Sequence, residues 1–415
     1  MFMLKQLKGF SQNRFIAKML QLKTSSRKSA RSYTKRGWRS LWKTIVAFLV
    51  GALSLAYLAQ PAASNGSPLL GIFYGGSEGL QINQVQALES WQGKKLAVVH
   101  IFTNWCDQTT VLNNLFNQQL INIWNNHNVP MITWEPFFCV SSPNPTDAQV
   151  RAGTPSNISV RAANGEFDPY LFNWADRMKQ FLSGPDGVFN TPDDRRAYIR
   201  FAHEMNGDWY PWGAAKGGSS PADYVRMWQR VKSLFYDKGM DVFHVQWVWC
   251  PGHYDVGAYS AESFYPGDKY VDWVSISGYN WGASQTWSNW LNPDQVWGDM
   301  IRRLRTLTKR PLSITEFAST TATTSGPSVA AKSQWITNAF NYILAQNIKM
   351  VVWFNDAKET DWTVFGGPSG DSTFYYNGNT YNTYTAYKTA VGSSNFISSD
   401  TSNPRLLTDA QFGGW

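Results

Sequence analysis

Residues 200–213 read RFAHEMNGDWYPWG, a His–Glu pair followed by an Asn and three large aromatic rings. Rings of this size favour burial or a flat ligand, whereas the Glu204 carboxylate favours water. A cleft that holds something flat and acts on it with an acid satisfies both demands. A second glutamate, Glu316, sits in the apolar run PLSITEF at 311–317. Two carboxyls at the ends of two strand-like runs suit glycosidic bond cleavage, in which one donates a proton and the other attacks carbon or activates water. A separation of about 5–5.5 Å implies retention of configuration and about 6.5–9.5 Å inversion.

The surrounding residues fit those two roles. An acid must stay protonated near neutral pH, so its pKa must rise. Trp209, Tyr210 and Trp212 supply an apolar wall for Glu204. A nucleophile must stay ionised and needs donors, and Tyr279 in GYNW is one. A strand-end glutamate is otherwise an ion-pair partner at a rim; the shared position of the two argues for chemistry. His203 either touches the ligand or supports its neighbours. Trp209 and Trp353 are expected to line the cleft rather than the core, and Trp249 divides evenly between the two. No metal or organic cofactor is required, and neither His203 nor His253 has a matching cluster of ligand residues.

These residues sit in a regular alternation. Apolar strand-like runs occur at 69–75, 95–102, 129–136, 197–205, 242–250, 271–279, 311–317 and 349–355, with helix-patterned stretches between them. SPADYVRMWQRVKSLFYDKG opens on Ser-Pro and closes at Gly239, and PYLFNWADRMKQFLSG closes at Gly184. Eight near-continuous apolar strands alternating with helices predict an α/β fold, a (β/α)8 TIM barrel over 69–392. A doubly wound open sheet competes, but no Gly-rich phosphate loop follows the first strand. In a barrel of this kind the active residues project from the C-terminal strand ends. The tail at 393–415 is polar and is expected to be loose. GPDGVFNTPDDRR at 184–196 reads as a surface turn, its spacing not being that of an EF-hand loop.

Composition narrows the ligand. Among 415 residues are 21 Trp, 19 Tyr and 24 Phe, more indoles than a core accommodates easily when each N–H needs a partner. Rings lining a groove for flat sugar faces account for the excess. The net charge of +8 misleads: 12 of the 37 Lys and Arg lie in residues 1–43, which hold no acid, so the remaining 25 face 29 Asp and Glu. A basic tail on a mildly acidic domain excludes a nucleic-acid partner. The basic stretch adjoins an uncharged apolar run at 44–60, slightly short of a comfortable bilayer span. That run is a transmembrane anchor with its positive side in the cytoplasm, or the core of a signal peptide. Either way the domain after the 61–68 linker is expected outside the cytoplasm, anchored or secreted, and monomeric. Three cysteines match no zinc spacing; Cys106 and Cys139 follow neighbouring strands and either form a bridge or remain, with Cys250, buried thiols.

FAHEMNGDWYPWG, VSISGYNW and LSITEFAS resemble glycoside hydrolase family 26, within the larger clan of retaining (β/α) barrel glycosidases. The resemblance covers roughly residues 66 to 392, and the first motif is its specific part. It implies that Glu204 is the acid/base and Glu316 the nucleophile of a double displacement on a β-linked polysaccharide. It further implies that Tyr279 bonds the nucleophile, that Trp353 lies under the sugar at the cleavage point, and that His203, Asn206, Trp209, Trp212, Trp249 and Trp281 contact substrate. Mannanase-like members often carry an Arg after the last-strand Trp; here Phe354 follows Trp353. That departure puts the mannan preference in doubt and leans toward mixed-linkage β-1,3-1,4-glucan; β-1,4-mannan, the commonest activity of the family, stays first as the expected substrate, with the mixed-linkage glucan close behind. The following loop, with Lys358, Glu359 and Asp361, either ion-pairs internally or contacts substrate. A transglycosylase would show the same residues, and a non-catalytic polysaccharide-binding protein would keep the rings but lose a carboxylate.

Overall fold

The apolar runs form eight parallel strands: β1 (Leu69–Tyr74), β2 (Val98–Trp105), β3 (Val129–Phe138), β4 (Ala197–Phe201), β5 (Val245–Trp249), β6 (Trp273–Ser277), β7 (Leu312–Phe317) and β8 (Met350–Asn355). The computed structural model describes residues 66–76, 82–140 and 147–415. β1 pairs with both β2 and β8, so the sheet closes in the order β1-β8-β7-β6-β5-β4-β3-β2. This is the (β/α)8 barrel and not the open sheet. The basic segment at 1–43, the apolar run at 44–60 and most of the linker lie outside the described residues. No helix among the described residues is long and apolar enough to cross a membrane.

Helices fill the crossovers where the 3.6-residue pattern places them. They are α1 (Asn83–Gln92), α2 (Thr109–Asn114) running through a π-helical turn (Leu115–Gln119) into α3 (Leu120–Asn125), α4 (Asp147–Ala152), α5 (Ile158–Ala163), α6 (Asp168–Leu182), α7 (Pro221–Asp237), α8 (Pro293–Leu307), α9 (Val329–Ala345) and α10 (Thr385–Gly392). The Ser-Pro start of α7 is a capping box, with Ser220 and Asp223 satisfying each other's backbone N–H groups. Asn292 and Gln295 do the same for α8.

Period-two alternation sorts the strand side chains. On β3, Trp134 points outward and stacks on Trp174 of α6 at 4.1 Å, whereas Thr133 points into the barrel and accepts a hydrogen bond from Arg200 at 2.6 Å. On β5, Trp247 packs edge-on against Phe235 of α7, so Trp249, two residues on, also faces the helices. Much of the Trp excess therefore lies in the barrel–helix layer, where Trp134, Trp174, Trp228, Trp247, Trp249, Trp297 and Trp353 are buried.

The carboxy-terminal tail departs from expectation. Residues after Ser393 are not loose: Phe396, Ile397, Leu406, Leu407 and Phe412 are buried. A last helix, α11 (Asp409–Gly413), lies against the N-terminal ends of β4 and β6. Its Phe412 carbonyl accepts from the Tyr198 hydroxyl at 3.0 Å and the Trp273 indole at 3.2 Å, and buried Arg196 pairs with Asp409. Gly414 follows at φ 73°, and a Cβ there would meet Trp273 and Pro311 at 2.6 and 2.7 Å. The polar composition concealed this because a few apolar anchors suffice to dock a short segment. The 184–196 segment is a turn whose carboxylates serve its own backbone, Asp194 accepting from Asn190 N at 2.8 Å and from His244 at 2.9 Å.

Phe412→Ala, which empties a filled site under the barrel, is expected to destabilise the fold by roughly 3–5 kcal/mol. Thermal unfolding measures this; an unchanged midpoint would mean that the tail is peripheral to stability.

Candidate active site

At the C-terminal ends of the strands lies a cleft of about 1060 Å³. The end of β4 is bent to reach it. Ala202 and Glu204 both adopt positive φ, 43° and 53°, a conformation that typically costs non-glycine residues of order 1 kcal/mol or more. Glu204 N is tied to the Cys250 carbonyl at 2.7 Å, and this bend turns the Glu204 side chain into the cleft. Glu316 arrives from β7. The two meet closely: a carboxylate oxygen of each lies within 4.8 Å of the other.

Each carboxyl has donors on both oxygens. The Trp209 indole N–H donates to Glu204 Oε2 at 2.6 Å, and the Ser277 hydroxyl bonds Oε1. Glu316 receives the Tyr279 hydroxyl on Oε1 and the buried Arg200 guanidinium on Oε2. Arg200 is held by Thr133 through Nε and by Cys250 Sγ through Nη1 at 3.6 Å. Burial, and next the charge of Glu316, pushes Glu204 up to about 7, against the pull of Ser277, Arg200 and Trp209. Glu204 is therefore poised to give and take a proton near neutral pH, beside a second glutamate paired with a permanent cation. That is an acid next to a nucleophile or base.

His203 completes a group of possible metal ligands with these two glutamates, their ligand atoms lying within 4.8 Å of one another. The donor set does not suit a cation. The Arg200 guanidinium already occupies Glu316, and the other carboxyl is engaged by Trp209 and Ser277. His203 is buried against Tyr210, its Nε2 lying 3.1 Å from the Tyr210 hydroxyl. Burial and then Arg200 hold its pKa well below the usual histidine value.

Of the residues expected to contact a ligand, Glu204, Glu316, Trp209, Tyr279 and Trp281 line the cleft. His203, Asn206, Trp212, Trp249 and Trp353 do not, and those expectations are corrected. Asn206 staples two loops, donating to the carbonyls of Gly252 and Tyr254 and accepting from Gly252 N. Trp212 is stacked beneath Tyr210 at 4.5 Å with its N–H on the His203 carbonyl. Trp249 faces Tyr265 behind the strand. Trp353, only 1% exposed, packs on Phe317, Phe340 and Tyr387 and donates to the Trp362 carbonyl at 2.9 Å. One step along β8 the alternation turns Phe354, not Trp353, into the cleft.

Several cleft residues escaped the sequence reading. Trp362 and Trp287 line it from loops, where no periodicity marks them. Glu135 lines it from the end of β3. Arg200 and Glu135 did leave a signal, a charge inside or closing an apolar strand run, which is rarely buried without a purpose. Lys358 and Glu359 both line the cleft and pair with each other at 3.5 Å, as the ion-paired reading of that loop expects. Cys106 and Cys139 form a disulfide with Cα atoms 5.0 Å apart, and Cys250 is the buried free thiol. The bridge joins the ends of β2 and β3 on the cleft wall.

Comparison with known proteins gives the same direction. Residues 193–295 match the family model of glycosyl hydrolase family 26. The chain is 31% identical over 334 residues to Endoglucanase H of Acetivibrio thermocellus, covering 79% of this chain and 32% of that protein. It is 26% identical over 234 residues to Mannan endo-1,4-beta-mannosidase A and B of Caldalkalibacillus mannanilyticus, covering 53% of this chain and 42% of that one. The chain thus spans well under two thirds of the length of both relatives. A family 26 beta-mannanase from Bacteroides ovatus superposes with a TM-score of 0.53 at 17% identity, covering 83% of this chain and 94% of that one, a likeness of fold.

The two shifts on Glu204 can be separated. Glu316→Gln removes a neighbouring negative charge and is expected to lower the Glu204 pKa from about 7. Ser277→Ala removes a donor that favours the ionised form and is expected to raise it. Carboxyl-carbon NMR titration of the two variants reads both; shifts in the same direction would refute this electrostatic account.

Proposed function

The chain belongs to glycoside hydrolase family 26, and from that premise we propose that it is a retaining endo-β-glycanase acting on a neutral polysaccharide. The observation that carries this reading is the approach of Glu204 and Glu316, with carboxylate oxygens within 4.8 Å of each other. That close approach lies on the short side used by retaining enzymes, below the roughly 6.5–9.5 Å at which inverting enzymes seat their attacking water.

In the first step Glu204 donates its proton to the glycosidic oxygen as a Glu316 oxygen attacks the anomeric carbon. The leaving sugar departs as an alcohol and a glycosyl ester remains on Glu316. In the second step Glu204, now a carboxylate, takes a proton from water. The resulting nucleophile attacks the same carbon and releases Glu316 as a carboxylate. Tyr279 and Arg200 hold Glu316 in place, Arg200 balancing its charge before attack and after release. Trp209 and Ser277 fix the direction of the Glu204 carboxyl. Trp281, Trp287, Trp362 and Phe354 offer flat apolar faces to sugar rings.

The polymer is a β-linked hexan, mixed-linkage β-glucan or β-mannan. Phe354 in the cleft and the longer match to Endoglucanase H support a β-glucan, and the matches to mannan endo-1,4-beta-mannosidases keep β-mannan beside it. The basic stretch and apolar run before the barrel support export, either with a retained membrane anchor or by secretion. The Cys106–Cys139 bridge fits an oxidising compartment.

The full chain is to be incubated with mixed-linkage β-glucan, β-mannan, xylan and cellulose, with the anomeric configuration of the first product followed by NMR. Oligosaccharides released initially as the β-anomer are expected from one polymer. Glu316→Ala is expected to abolish release, and Glu204→Ala to lower it by roughly 10²–10⁴-fold. Initial α-anomers would overturn the double displacement. Binding without products would favour a non-catalytic polysaccharide-binding protein.

A further inference from the structure

A third carboxyl stands in the cleft, and the double displacement does not use it. Glu135 lies near the C-terminal end of β3, in register with Asn104 of β2, and both line the cleft. It shares the inward face of the strand with Thr133, two residues earlier and one layer deeper, so its side chain points to the barrel mouth.

Among the described residues none gives its carboxyl a hydrogen bond, although cations are near. Arg200 is committed to Thr133, Cys250 and Glu316. Arg151 donates through Nη1 to the Trp209 carbonyl at 3.0 Å and lies over the Tyr210 ring. Lys358 pairs with Glu359. Partly exposed in the cleft, its carboxyl is left to water until a ligand brings polar groups to it. Burial, offset first by Arg200, pushes Glu135 up to about 8. At neutral pH it is thus an uncharged acid with one donor and free acceptor positions. It lies near enough to Glu316 for the two charges to interact.

We propose that Glu135 is a substrate-contacting, specificity-determining residue, whose carboxyl hydrogen-bonds the hydroxyls of an uncharged sugar unit beside the bond to be broken. The inference rests on the polysaccharide-cleft reading above. It assigns the hydroxyl-reading contact of the cleft to the β2–β3 wall, opposite the rings of Trp281 and Trp362. The Cys106–Cys139 bridge, immediately beyond both strands, holds that wall in place.

The test uses binding, so that it does not depend on turnover. In the full chain carrying Glu316→Ala, calorimetry is to measure the affinity for a mixed-linkage glucohexaose and for mannohexaose. The measurement is repeated after adding Glu135→Ala or Glu135→Gln, and thermal unfolding is followed in all three. Glu135→Ala is expected to weaken binding of the preferred hexaose by roughly tenfold without lowering the unfolding midpoint. Glu135→Gln, neutral and able to donate and accept, is expected to stay within about threefold of the parent. Equal affinity in all three proteins overturns the role of Glu135 and leaves the glycanase reading intact. An equal loss in Gln and Ala overturns the neutral-donor role. No binding of either hexaose in any of the three proteins overturns this inference; polymer cleavage by the unmodified chain decides the glycanase reading separately.

Discussion

Two carboxyls within 4.8 Å of each other in a half-buried cleft repel when both are charged, and the top of the barrel is arranged around that repulsion. One solution is to leave one of them protonated and to neutralise the other. Arg200, with no exposure to solvent, supplies the neutralising charge, and it is held by Thr133 and Cys250 as well as by Glu316. A cation buried this deeply is tolerable only when its donors are satisfied. The inner layer of the barrel therefore has to supply polar partners in a place normally given to Val, Ile and Leu. Thr133, His100, Ser275 and Thr315 fill that layer and bond to one another or to Arg200 and Cys250. The apolar packing that stabilises the barrel is correspondingly displaced outward, to the interface between strands and helices.

That displacement explains where the tryptophans went. An indole needs space and a single acceptor; the strand–helix layer offers the space, and Trp228, Trp297 and Trp335 each donate to a backbone carbonyl there, whereas the Trp174 N–H has no acceptor among the described residues. The rings left for the cleft are those carried by loops or by the last residues of strands. Trp281 and Trp362 meet edge to face at 4.8 Å, and Trp287, 62% exposed, extends the surface outward. The wall formed by β2 and β3 sets Asn104, Gln108 and Glu135, which offer hydrogen bonds, among the rings of Phe102, Phe137 and Phe138. Rings interleaved with polar groups match a sugar, which has apolar faces and a hydroxyl-bearing edge.

Strain is concentrated at the same place. Ala202 and Glu204 flank His203 with positive φ, and the turn is held by Trp212 on the His203 carbonyl and by the Tyr224 hydroxyl on the Ala202 carbonyl at 2.9 Å. His203 and Trp212 thus belong to the support of Glu204. Their place in the motif is accounted for by the geometry they impose on the acid.

The amino-acid sequence by itself determined the eight apolar runs, the helices between them, and the two glutamates at strand ends. Each of those is a local property, a periodicity or a residue's place at the end of a run. It also held the capping signals of α7 and α8, which act over four residues. Tertiary structure alone decided which rings face the cleft, because a shift of one position along a strand exchanges inside for outside. Trp353 and Phe354 differ by just that step. It decided that Cys106 meets Cys139 and that Phe412 closes the barrel base, both of which join residues far apart in the chain. Most of all it decided the protonation of Glu204, since burial and the nearness of Glu316, 112 residues away along the chain, exist only once the barrel has closed.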